Sequence, residues 1–169
     1  MIDNLLYIET DLWDTVEIYP SKKRYNLFQE TIGSWYKTEV DTNMVCQGML
    51  PAPQTFEIEG IMVLANRDSY PESVNKIFSN YSMNLWLGQR IYGQWMLDRF
   101  PINGDYKQLW CYKKNRWVLP RPIRFNEYKP KIMPQQYFRV ELVGDDKPIR
   151  HEPTKVKVIL SGVLGLGVQ

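Results

Sequence analysis

Tyr137-Phe138-Arg139-Val140-Glu141-Leu142-Val143 is the stretch that decides the fold class. Phe138, Val140 and Leu142 fall on one side of an extended chain, and Arg139 and Glu141 on the other. That two-residue period belongs to a strand with one buried face. Gly144-Asp145-Asp146 then turns the chain. Downstream, Lys155-Val156-Lys157-Val158-Ile159-Leu160 repeats the alternation, with Val156, Val158 and Leu160 inward, as far as Ser161-Gly162. Upstream, residues 55–64 set Phe56 and Ile58 against Glu57 and Glu59. After Gly60 the run is continuously apolar, which implies a bulge or entry into a layer covered on both faces.

The same period recurs between these strands. Met83, Leu85 and Leu87 alternate with Asn84 and Trp86, Gly88-Gln89-Arg90 supplies a turn, and Ile91-Tyr92 resume, so residues 83–97 read as a hairpin. A second hairpin spans residues 108–118 around the tip Lys113-Lys114-Asn115-Arg116. Arg121-Pro122-Ile123-Arg124-Phe125 suits an edge strand, where proline is tolerated. Thr15-Val16-Glu17-Ile18-Tyr19 alternates and stops at Pro20. In residues 21–32, Tyr25, Phe28 and Ile32 fit a helical face that Gly33 cuts short. Ser69-Tyr70-Pro71-Glu72 has capping-box spacing, and Val74, Ile77 and Phe78 then share one face of a short helix expected to close one end of the fold. Residues 1–14, with Leu5, Leu6, Tyr7, Ile8, Leu12 and Trp13, read either as an arm or as the first strand.

Many short strands at near-regular spacing, with one or two short helices, indicate a single all-β domain over residues 1–169, an antiparallel β-sandwich. Its inward set includes Phe56, Ile58, Leu85, Phe138, Val140, Val156 and Val158. With 44% apolar and 24% charged residues, the chain has an ordinary globular composition and can build one substantial core. A net charge of +2 is too small to mark a nucleic-acid binder, and the Lys113–Arg116 run reads as a solvated tip. Cys46 and Cys111 show no CxxC spacing and read as small buried hydrophobes. Asp3 and Glu9 replace the basic region of a signal peptide, and no uncharged apolar run is long enough to span a bilayer. The expectation is a soluble protein made in a reducing cytoplasm, without membrane insertion.

Chemistry-bearing patterns are scarce. The single histidine, His151, sits between Pro148 and Pro153 and reads as a surface-loop residue rather than a ligand or a general base. Gly162-Val163-Leu164-Gly165-Leu166-Gly167 has no helix after it to present N–H groups to a phosphate, so its glycines read as sites of close packing or a bend. No enzyme activity, metal or cofactor is expected. The aromatic share of 14% suits strands and also protein- or sugar-binding surfaces. Trp86, Tyr92, Trp95, Trp110, Tyr112 and Trp117 are the candidate binding or interface surface. Core packing competes for the same side chains.

From Pro53 onward the order of features resembles jelly-roll capsid or capsid-associated proteins of bacterial viruses. The strand of residues 53–64 is followed by Leu85-Trp86-Leu87-Gly88-Gln89-Arg90-Ile91-Tyr92. Met133-Pro134-Gln135-Gln136-Tyr137 then leads into the 137–143 strand, and residues 156–169 close the chain. The likeness covers residues 50–169 and assigns no functional position. It implies a jelly roll of two antiparallel sheets and a structural virion protein, whose partners are further copies of itself and other virion proteins. The alternative from the aromatic supply is a carbohydrate- or receptor-binding sandwich with a glycan as ligand.

Overall fold

A computed structural model describes residues 5–34, 36–66, 69–100, 110–111, 116–117, 123–145 and 151–167. In chain order the strands are β1 (Leu5–Ile18), β2 (Arg24–Leu27), β3 (Thr55–Ala65), β4 (Tyr81–Leu87) and β5 (Arg90–Met96). They continue as β6 (Trp110–Cys111), β7 (Arg116–Trp117), β8 (Ile123–Arg124), β9 (Lys131–Ile132), β10 (Phe138–Gly144) and β11 (Thr154–Gly167). One α-helix, α1 (Pro71–Asn80), and a 3-10 turn at Leu97–Arg99 complete the described elements.

Apart from the separate two-stranded ladder of β6 with β7, the antiparallel pairings nest. β1 pairs with β11, β2 with β10, β3 with β8 and β9, and β4 with β5, as in one long ribbon folded back on itself. Two cross-links, β11 to β3 and β10 to β4, close this ribbon into sheets of order β1-β11-β3-β8 and β2-β10-β4-β5. Their inner faces share one hydrophobic cluster. Phe56, Val156 and Val158 come from the first sheet, and Leu85, Phe138 and Val140 from the second. The seven inward side chains read from the alternation are all fully buried. The molecule is therefore all-β and antiparallel, with a sandwich-like core.

Several local expectations need correction. Residues 21–32 contain no helix: Tyr25 and Leu27 are buried with period two, and β2 lies along Leu142 and Val140 of β10. The chain leaves β2 through Phe28 at φ 66°, a left-handed conformation uncommon for a bulky residue. It is held from both sides, because the Phe28 N–H donates to Asp14 Oδ2 (2.5 Å) and the Gly48 N–H to the Phe28 carbonyl (2.9 Å). At α1 the N-cap is Tyr70, with no side-chain cap bond, so Ser69 stands one residue too early for a capping box. Pro71 occupies the first turn, where its missing N–H needs no cap. Val74, Ile77 and Phe78 are fully buried, as the helical spacing required.

The chain ends also become clear. Of the two readings for residues 1–14, the first strand holds from Leu5 onward, in register with β11 along 14 residues. β11 itself does not stop at Ser161-Gly162 but runs to Gly167. A register shift falls there, opposite Gly60 and Ile58 of β3, which places the bulge where the pattern of residues 55–64 changed. A Cβ on Gly162 would collide with the Glu57 carbonyl oxygen, so this is a position of close backbone approach. Among the described residues, no helix is long and apolar enough to cross a membrane.

Candidate functional site

Of the six candidate aromatics, the three whose side chains are described do not share one surface. Tyr92 and Trp95 of β5 gather around Phe125, with ring centroids 6.0 and 5.9 Å away in edge-on arrangements. The Tyr92 hydroxyl donates to the Tyr128 carbonyl at 2.8 Å, so this group ties residues 125–128 to β5. Trp86 lies apart, on the outer face of the second sheet. Trp110 and Trp117 face each other across the β6–β7 ladder, but their side chains and all of Tyr112 lie outside the described residues.

Around Trp86 the outer face carries a polar row. Asn26, Glu141, Asn84 and Gln94 stand opposite one another on β2, β10, β4 and β5. Alternation puts Glu141 outside the core, yet it is only 7% exposed. Its carboxylate accepts from Arg24 (3.2 Å), Asn84 Nδ2 (3.3 Å) and Trp86 Nε1 (3.2 Å). The Arg139 guanidinium lies 4.5 Å from the Trp86 ring centroid and covers the ring. Buried carboxylates persist where several donors replace lost water, and those donors here come from the two strands that flank β10, β2 and β4. Among the described residues, Asn84 Oδ1 and Arg139 Nε have no hydrogen-bond partner.

His151 is not a surface-loop residue: it is 9% exposed. Its Nδ1 lies 2.7 Å from the Glu152 carbonyl, to which it donates, and among the described residues Nε2 is buried without a partner. It borders a cleft of about 800 Å³ with Tyr70, Glu72, Ser73, Lys76 and Glu152. Ser73 Oγ there accepts from the Glu152 N–H at 3.0 Å. Cys46 is half-buried rather than buried, and the Cys111 side chain lies outside the described residues. Among the described residues, no three His, Cys, Asp or Glu side chains gather to hold a metal ion.

The outer edge of β1 offers a different kind of site. β1 ends its sheet, and residues 37–43 cover part of its free edge. The Trp13 N–H donates to Asn43 Oδ1 (2.9 Å), the Asn43 N–H to the Trp13 carbonyl (3.2 Å), and Asn43 Nδ2 to the Asp11 carbonyl (2.8 Å). Lys37 Nζ donates to the Thr15 carbonyl (2.5 Å) and pairs with Asp14 Oδ1 at 2.6 Å, both side chains being nearly inaccessible. Burial pushes the Asp14 carboxyl above its ordinary value, and the Lys37 ammonium pulls it only part of the way back. Every covered backbone group belongs to an odd-numbered residue, so odd residues point outward along this strand. Toward the chain start, at Tyr7 and Glu9, no hydrogen bond closes that edge among the described residues. Leu6, Tyr7 and Ile8 are 55%, 60% and 41% exposed.

Sequence reading did not find Asn43, Lys37 or the burial of Asp14, because nothing near them in the chain announces a partner 30 residues away. Exposed Leu6 and Ile8 did stand out, as the apolar content of residues 1–14. Compared with protein-family models, curated proteins and solved structures, the chain matches none.

Proposed function

We propose that this chain is a structural subunit of a virus particle, of the jelly-roll capsid or capsid-associated type, acting by self-assembly and packing in the virion. The observation that carries the reading is the nesting of the strand pairs. First with last, second with second-last and so on inward is the order expected when a single ribbon is wrapped into a jelly roll of two sheets. Fold alone does not assign function. Support for assembly comes from exposed apolar side chains on a sheet edge, a feature that isolated sandwiches normally blunt.

Sugar binding has less behind it. Tyr92 and Trp95 are engaged with Phe125, and the Trp86 ring is covered by Arg139. A saturable tryptophan-fluorescence response to a glycan panel would restore that alternative. The assembly reading is tested by sedimentation and electron microscopy of the purified chain over the accessible concentration range. Regular oligomers or larger assemblies are expected. A chain that stays monomeric at its highest concentration overturns the reading.

A further inference from the structure

We infer that the open half of β1 is a docking edge for a second copy of this chain, which adds its own β1 antiparallel about a twofold axis at Tyr7. The inference rests on the assembly reading and names the surface it uses. The occupant must be an extended strand, because what the edge offers is a short row of outward backbone N–H and C=O groups at Tyr7 and Glu9. The row stops at Asp11, whose carbonyl is already taken by Asn43. No lysine or proline guards residues 5–9, although such residues commonly protect exposed edges.

A second copy fits because β1 is self-complementary in one register. Antiparallel hydrogen-bonded pairing requires outward residues to face outward residues, so a twofold axis falls on Leu6, Tyr7, Ile8 or Glu9. An axis on Leu6 pairs only residues 5 and 7 of the open window, leaving Glu9 outside it. An axis on Glu9 sets two carboxylates against each other. An axis on Ile8 brings residue 5 against the blocked Asp11 of the partner subunit. Charge, the Asn43 block and pairing of the whole window leave Tyr7. That register pairs the whole open window, with Glu9 opposite Leu5 of the partner subunit and away from its own copy. Leu6 then stands opposite Ile8 of the partner subunit in a non-hydrogen-bonded pair, where side chains come closest. These residues lie on the inner face of the sheet, beside Leu166 and Leu164 of β11. The four side chains from the two copies join into one strip across the seam.

Sedimentation of the full chain tests this, with Ile8→Lys as the disrupting variant and Val45→Lys as the control. Val45 is 67% exposed and lies outside β1. Wild type and Val45→Lys should associate alike, while Ile8→Lys, with an unchanged thermal melt, should weaken association at least about tenfold by placing an ammonium in an apolar strip. Register is read from Leu6→Cys and Ile8→Cys proteins, each also lacking Cys46 and Cys111. Mixed and mildly oxidised, they should form the mixed disulfide faster than either forms its own. If wild type associates but Ile8→Lys associates equally well, or the mixed disulfide is not favoured, the edge assignment is overturned and the assembly reading stands. If wild type never associates, both fall.

Discussion

The two halves of β1 share a partner strand and a continuous register, yet they differ in almost everything else. From Asp11 to Thr15 the free edge is stitched to residues 37–43, and Asp14 is buried with Lys37 against it. From Leu5 to Glu9 nothing among the described residues closes the same edge, and three consecutive apolar residues are exposed. The change occurs near Thr10, which is paired with Gly162 at the bulge. A strand's hydrogen bonds to one neighbour therefore say nothing about the fate of its other edge. That fate depends on whether a distant segment arrives to cover it.

The comparison breaks hardest at Asp14. Asp14→Ala leaves the Lys37 ammonium buried without its counter-charge, and should lower unfolding free energy by about 3–5 kcal/mol, read from urea midpoints. The same carboxyl has a pH signature. A group raised in the folded state stabilises most below its unfolded value of 3.8 and loses that contribution as pH rises through the raised folded value. Wild type should accordingly lose stability relative to Asp14→Asn across that window, and parallel pH profiles would refute the assignment. At the junction, Gly162→Ala forces the backbone away from Glu57 and should cost about 1–3 kcal/mol.

Smaller changes sharpen the contrast. Asn43→Ala removes two bonds to the β1 backbone and should cost about 1–2 kcal/mol, with faster amide exchange at Trp13. It lengthens the bare edge, so any self-association should be preserved or strengthened. Leu6→Thr, in the open half, should change stability by less than about 0.5 kcal/mol, because little is buried there to lose. Its effect should appear in sedimentation alone. A large loss of stability from Leu6→Thr would mean that the two halves of β1 do not differ as described.

Much of the fold was legible in the residues, and the legible parts share a cause. Where one face is buried and the other wet, alternation is unambiguous, as in residues 137–143, 55–64 and 155–160. Residues 21–32 misled because Tyr25, Phe28 and Ile32 have helical spacing, whereas Phe28 is buried beyond the strand end at positive φ. His151 misled because its polar, proline-flanked surroundings suggested exposure, and burial beside the distant α1 has no local signature. Among the candidate aromatics, sequence could pick the residues but not their grouping. Trp86 and Trp95 both lie in the 83–97 hairpin, yet one faces Glu141 and the other Phe125.

By itself, the sequence determined the all-β class and the inward residues and marked Gly60 as the place where the pattern changes, because these follow from period and from glycine. Tertiary structure alone decided which edges are closed and which polar groups are buried. Glu141 and Asp14 owe their burial to partners many residues away, and only the folded chain brings donors close enough to replace water around a carboxylate. The open half of β1 follows the same logic. Residues 5–9 read alike as an arm or as a strand, and pairing with β11 made them a strand. Their exposed edge among the described residues was set by where Asn43 stops.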